Sequence, residues 1–260
     1  MARLEPSISA GLGRGFHLGF HLPIDLRRAE IEYLLFDGTP YEPAYGDFHH
    51  RNEWLFGLGD ARFVAGWTGE PPGSPLIVGG GVGVALPTGR TEEDPFAAAE
   101  SQEEHQHLQF GNGTVDPLAS FRLIVRGETL GMFSSVSGRF PLYANKKGYQ
   151  GPVQLRGSVG PMLRPPAPLR SLQLLLLAVV SGNWPERWQG ELGQNSGLLS
   201  AGVHLGLIWN ITPQLAVQGA MLANAFQKSR GGQFTRPLTL TFGISGFLDL
   251  RPKKSRGHPH

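Results

Sequence analysis

The sequence carries nine histidines and 21 acidic residues, the groups that could hold a metal or move a proton. Asp47, His49, His50 and Glu53 crowd one stretch, and His105 and His107 follow Glu103 and Glu104 in another. Imidazole with carboxylate suits first-row metals. No HExxH or comparable fixed spacing accompanies them, so both stretches read as solvated polar loops and no metal is assigned. His17 and His21 lie four residues apart in an extended pattern, about 13 Å by rise, too far for one ion. Together with Arg122, Arg126, His204 and Asn210 they read as candidates to line a lumen. No GxSxG occurs, and no Ser–His–Asp set can be assembled at one place. The absence of cysteine excludes disulfides, thiolate metal sites and thiol nucleophiles. The run Gly79-Gly80-Gly81-Val82-Gly83 lacks the GxxxxGK[ST] of a phosphate loop and sits inside an alternating segment rather than before a helix. No catalytic residue and no cofactor are expected, and the chain is not read as an enzyme.

The elements that would position such residues are strands. Phe16, Leu18, Phe20, Leu22, Ile24 and Leu26 alternate with His17, Gly19, His21, Pro23 and Asp25. That is one apolar face and one small or polar face on an extended chain. The pattern recurs over Leu76–Leu86, Leu199–Ile211 and Leu238–Leu250. Eleven strands follow, over 5–12, 16–36, 50–67, 75–87, 114–126, 129–142, 150–163, 170–182, 197–211, 214–226 and 236–250. Many are twice the usual length for soluble domains, roughly 5–6 residues, and suit a tilted crossing of a bilayer, about 9–11. Their connections alternate short and long, as in an outer-membrane barrel. The longest is the polar stretch from Thr88 to about Gly113, which could fold inward as a plug or gate. The apolar phase slips at Arg27–Arg28 and at Gly59–Asp60, and both slips read as β-bulges.

The expected fold is all-β: an antiparallel transmembrane up-and-down β-barrel of about 11–12 strands over 1–250, with a disordered basic tail over 251–260. Single-chain bacterial barrels have an even strand number. An eleven-strand count therefore predicts a missing N-terminal strand, lost together with the signal peptide that the first residues do not show. The longest apolar run, Leu174–Val180, is far short of the ~20 residues of a spanning helix.

Composition fits this picture. Gly is 37 of 260 residues, about twice the usual share, and charged residues are only 17% against the ~25% usual for soluble domains. The net charge of +2 gives no reason to expect nucleic acid as a partner. The lysines at 146, 147, 228, 253 and 254 all fall in expected loops or the tail. Arg122, Arg126 and Arg156 fall on strands, where a lipid-facing Arg would cost about 2–4 kcal/mol at midplane. Arg122 and Arg126 alternate away from Phe121, Leu123 and Val125, so they belong to the lumen or a rim. Trp54, Trp67, Trp184, Trp188, Trp209 and Tyr143 are expected at strand ends as interfacial girdles. The competing orientation, with the apolar face inward, would make a soluble ligand-binding barrel.

Three short motifs carry a family resemblance. Gly57-Leu58-Gly59-Asp60 leads into a strand. Gly83-Val84-Ala85-Leu86-Pro87-Thr88-Gly89 ends one. Gly111-Asn112-Gly113-Thr114-Val115-Asp116-Pro117 opens the next after an acidic loop. Over about residues 55–125 the chain resembles the outer-membrane transporter family named after the meta-pathway of phenol degradation. The resemblance implies a barrel in the lipid bilayer of a Gram-negative outer membrane and passive uptake of small hydrophobic or aromatic compounds. It implies no catalytic residues. In these motifs Gly permits turns, Pro87 and Pro117 mark strand ends, and Asp60 and Asp116 are expected to bond to local backbone. A barrel whose surface loops bind a metal or another partner, without transport, is the competing class.

Overall fold

The computed structural model describes residues 1–29, 35, 37–41, 53–95, 109–193, 196–230 and 236–248. Its principal element is one antiparallel sheet of eleven strands. In chain order these are β2 (Ser7–Gly13), β3 (Phe16–His21), β6 (Ala61–Gly69), β7 (Leu76–Leu86), β8 (Asp116–Val125), β9 (Leu130–Arg139), β11 (Gln154–Leu163), β12 (Leu172–Asn183), β15 (Leu198–Thr212), β16 (Leu215–Ser229) and β17 (Leu238–Gly246). Each pairs with its neighbour in the chain, so the topology is up-and-down. Each of these eleven strands falls at one of the eleven expected places, while residues 30–34, 36, 50–52 and 249–250 of the expected strands lie outside the described residues.

The sheet is not closed, since β2 and β17 form its two edges.

The first three long strands are broken and continue into a second sheet of β1 (Ala2–Leu4), β4 (Ile24–Ala29) and β5 (Glu53–Leu58). The breaks align at Glu5-Pro6, Leu22-Pro23 and Gly59-Asp60. Backbone bonds cross the line of breaks, from Leu22 N to Pro6 O and from Gly59 N to Pro23 O. His21 pairs with Arg62 but Ile24 pairs with Leu58, so three steps on one strand match four on the other. The extra residue lies at Gly59–Asp60, where a bulge is expected from the phase slip. The Arg27–Arg28 bulge is a correction. Those residues sit in unbroken register opposite Leu55 and Trp54. The interruption is at Leu22–Pro23, which spans two residues and so leaves the even-numbered apolar phase intact.

Short turns gather at one rim and long connections at the other. The tightest turn joins β2 to β3. Arg14 and Gly15 both have positive φ, 51° and 85°, the conformation of a two-residue turn that matches strand twist. A small sheet of β10 (Tyr149–Gln150), β13 (Arg187–Trp188) and β14 (Glu191–Leu192) sits within the long connections. Its three strands have two residues each, too few for alternation to reveal them.

One face of the large sheet is apolar and exposed. Across it runs the row Phe16, Trp67, Gly80, Phe121, Val136, Gly157, Val180, Ala201 and Phe226. Phe121, Val136 and Val180 are each about half exposed, at 49%, 49% and 53%. Water would not tolerate a continuous belt of this kind, and lipid does. Trp54, Trp184 and Tyr143 are exposed near the long-connection rim, and Trp67 and Trp209 near the short-turn rim. Two aromatic girdles result. Trp188 is the exception. It is buried in the small sheet against Tyr149, ring centroids 4.8 Å apart. Lys228 is a second correction, since it is the penultimate residue of β16 rather than part of a loop. Leu248 lies beyond the end of β17 at Gly246. Residues 251–260 lie outside the described residues.

Candidate functional site

The opposite face is small, polar and sparsely charged over its two middle rows, and apolar nearer the short-turn rim. Its central row reads Gly11, His17, Gly66, Gly81, Ser120, Ser137, Arg156, Ser181, Ser200 and Gln227, each paired with the next. Hydroxyls bond along and beside this row, Ser181 to Ser200 and Ser135 to Ser158, both at 2.8 Å. Towards the short-turn rim lies the row Thr68, Gly79, Arg122, Ser135, Ser158, Val179, Gly202 and Asn224. Arg122 donates to Thr68 Oγ1 at 2.6 Å and lies flat over Gly79. A Cβ on Gly79 would stand 2.7 Å from Arg122 Nε, so glycine is what lets the guanidinium lie against the wall.

At the long-connection rim this face is capped. The three motifs singled out in the sequence meet here. The bulge after β5 leaves Gly59 O and Ala61 N without strand partners. Thr88 Oγ1 takes both roles, accepting from Ala61 N at 2.8 Å and donating to Gly59 O at 2.9 Å. Asp60 accepts from Gly89 N at 3.1 Å and from Asn112 N at 2.8 Å. Asp116 accepts from Asn112 Nδ2 at 2.7 Å and Thr114 Oγ1 at 2.6 Å. Arg139, at the end of β9, bridges the two carboxylates, with its Nε donating to Asp116 and its Nη2 to Asp60. Asp60 and Asp116 are 3% and 0% exposed. Buried carboxylates need such complete pairing. The expected backbone bonds of both aspartates are present for Asp60, while Asp116 is held by side chains.

The described ends of the Pro87–Val115 connection are thereby fixed against the inner face. Phe110 packs on the inner side of β5, where Gly57 leaves room. A Cβ on Gly57 would come within 2.8 Å of the Phe110 ring. The guanidiniums of Arg27 and Arg90 lie over that ring, 4.7 and 5.3 Å from its centroid. Arg27 also donates to Gln109 O at 3.0 Å and, with Arg3, to the buried Asp25. Gly57→Val should displace Phe110 and cost about 1–3 kcal/mol, as overpacking does. Adding Phe110→Ala should recover part of that loss. Thermal unfolding of the two variants in detergent checks this, and additive losses would contradict the contact.

A second polar cluster lies outside the strands that carry the apolar belt. Tyr149 donates to Glu186 Oε2 at 3.2 Å, and Trp188 Nε1 lies 3.4 Å from Oε1. Burial raises Glu186 above its ordinary 4.5, with its two donors opposing. Burial, then the Glu186 charge, raises Tyr149 well above 10.0. A carboxyl raised in the folded state contributes stability that is complete below its unfolded value and is lost as pH rises through the folded value. The small sheet should accordingly be tightest in mild acid and loosen as pH rises from about 4.5 upward. Amide exchange around Tyr149–Trp188 measures it. Glu186→Gln should abolish the slope, and an unchanged slope in that variant would contradict the assignment.

The crystal structure of the COG4313 outer membrane channel from Pseudomonas putida F1 matches this chain with a TM-score of 0.62. The match covers 94% of this chain and 82% of that one, at 11% identity. The fold is that of an outer-membrane β-barrel. No protein-family model matches the sequence, and no curated protein matches it.

Within the barrel, the lumen candidates separate. His17, His21, Arg122 and His204 lie on the face opposite the apolar belt. Arg126 lies beyond the end of β8 at the short-turn rim, paired in the open with Glu70. Asn210 is exposed near the end of β15, its Nδ2 donating to Ser171 O at 3.3 Å. Asp47, His49, His50, His105 and His107 lie outside the described residues. Among the described residues no three His, Asp or Glu side chains gather as a metal would need. Sequence reasoning missed Arg139 and the Arg3–Asp25–Arg27 cluster. The available signal was charge at inward-phase positions of strand ends.

Proposed function

We propose that this chain is an outer-membrane channel of a Gram-negative bacterium that passes small hydrophobic or aromatic compounds without an energy source. The observation that carries the reading is the pairing of the two faces. A belt of exposed apolar side chains, interrupted by Gly80 and Gly157, backs an unbroken row of glycine, serine and a few basic groups. Small side chains on the inner face leave a lumen open, whereas a barrel built only for rigidity fills it with large ones. His17, His21, Arg122 and His204 are the proposed lumen-lining residues, with Arg126 and Asn210 near the short-turn rim. The resemblance of the Gly57–Asp60, Gly83–Gly89 and Gly111–Pro117 motifs to the phenol meta-pathway transporter family supports the solute class. The outer membrane channel named above as a structural match supports the channel role.

The lipid bilayer is then the principal partner, and no cofactor enters the mechanism. Solute passes by diffusion, and the residues position and exclude rather than react. Liposomes loaded with a self-quenching dye and reconstituted with the full chain test this. Swelling or dye dilution with small aromatic solutes, absent from protein-free liposomes, is the expected result. A barrel that inserts, shifts its unheated gel mobility and yet passes no solute would contradict transport and favour a barrel that binds partners through its loops.

A further inference from the structure

The inner face is chemically lopsided in a way that the channel reading alone does not require. The inward acids Asp25 and Asp116 of the described strands sit at the long-connection rim, each paired with arginine, and Glu53 opens β5 at the same rim. Asp25 meets Arg3 and Arg27, and Asp116 meets Arg139, as does Asp60 at the adjoining break. Glu5, at the first break, meets Arg62. Below that rim the eleven strands contain no Asp or Glu at all. They do contain Arg122 and Arg156 on the inward face, with His17 and His204. Arg156 makes no side-chain hydrogen bond or ion pair with any described residue. Arg122 bonds only the neutral hydroxyl of Thr68 among them.

The row next to Arg122, one step nearer the short-turn rim, is apolar. Its apolar members are Ile77, Ile124, Phe133, Leu177 and Leu222, with a gap at Gly160 and with His204 between the last two. The spacing from the Arg122 row to this row is two residues, about 7 Å along the strands. A guanidinium beside an apolar wall at that distance matches a molecule with an anionic head and an apolar ring.

We infer that the lumen selects small organic anions bearing an apolar ring, with Arg122 receiving the carboxylate or sulfonate, the Ile77–Leu222 row receiving the ring, and Arg156, one row further from the ring, adding the positive charge that draws the anion in. This rests on the channel reading. Positive charge that has no acidic partner among the described residues favours anions and repels cations within a narrow passage. A guanidinium suits planar oxyanions by its forked donors. The side chains do not bind tightly, because the flanking rows offer serine hydroxyls and glycine rather than further cations, and a solute must also leave.

The test uses the full chain in planar bilayers, with benzenesulfonate and benzyltrimethylammonium as permanently charged probes and potassium chloride as the reference. Reversal potentials under opposed gradients should show benzenesulfonate permeating several-fold better than benzyltrimethylammonium. Arg156→Gln should lower that preference roughly fivefold and Arg156→Lys should keep most of it. Arg122→Gln gives an independent second reading should Arg156→Gln fail to fold, as judged by gel mobility before and after heating. Current that prefers the cation, or a preference unmoved by neutralising both arginines, would overturn the inference while leaving the channel standing. No current with any of the salts would overturn the channel reading, and the inference with it.

Discussion

Arg139→Leu is expected to lower the stability of the folded barrel by about 3–5 kcal/mol, among the largest effects of any single substitution in the chain. The reason is the company that Arg139 keeps. It satisfies two buried carboxylates at once, Asp60 in the break before β6 and Asp116 at the start of β8. Removing the guanidinium leaves both negative charges facing each other without a counter-charge. The cost falls on more than a pair of side chains. Asp60 and Asp116 also hold Gly89, Asn112 and Thr114, so both described ends of the Pro87–Val115 connection depend on the same arginine. Proteolysis within that connection should accelerate in the variant, and the heat-modified gel band should form at lower temperature. Arg139→Lys should fall between, because an ammonium keeps the charge but lacks the fork that reaches both acids. A variant as stable and as protease-resistant as the parent would show that the connection is held by something else.

The second large effect tests orientation. Val159 and Ser158 are neighbours on β11 and point to opposite faces. Val159 is half exposed within the apolar belt, and Ser158 bonds Ser135 on the inner face. Val159→Arg should cost about 2–4 kcal/mol for folding into a bilayer if its position is near midplane. Ser158→Arg should fold nearly normally, because an inward Arg meets water and the hydroxyls around it. It should also narrow the passage. Urea titration of the two variants in the presence of lipid vesicles gives both numbers. Equal losses, or the reverse order, would contradict the assignment of faces.

Much of this fold is readable from the sequence because a barrel strand advertises itself. Alternation over ten or more residues, as in Leu199–Ile211, is a long signal with a single period. The sequence of short and long connections follows from where Gly, Pro and polar residues interrupt it. The capped rim is less readable, and the difference is one of distance. Asp60, Asp116 and Arg139 are local neither to one another nor to any periodic pattern. Arg139 is 79 residues from Asp60 and 23 from Asp116. Each alone looks like an ordinary strand-end charge. The short motifs around Asp60, Thr88 and Asn112 are visible as motifs, but only the sheet register shows that they form one structure. The break at Leu22–Pro23 is hidden for a different reason. Skipping two residues preserves the parity of the apolar positions, and parity is what the eye follows. Trp188 is hidden because an interfacial and a buried tryptophan have the same neighbours in sequence.

The channel depends on which face meets lipid, and the chain suits a direct measurement of it. It contains no cysteine, so a single introduced cysteine carries the only label. Val136→Cys and Ser137→Cys place a nitroxide on adjacent residues of β9 that face opposite ways. In reconstituted vesicles, relaxation by oxygen, which concentrates in lipid, and by a polar nickel chelate, which stays in water, would be compared at each site. The label at 136 should respond mainly to oxygen. The label at 137 should respond mainly to the chelate. The opposite pattern would mean that the apolar belt faces inward, and the lumen and channel would both have to be abandoned.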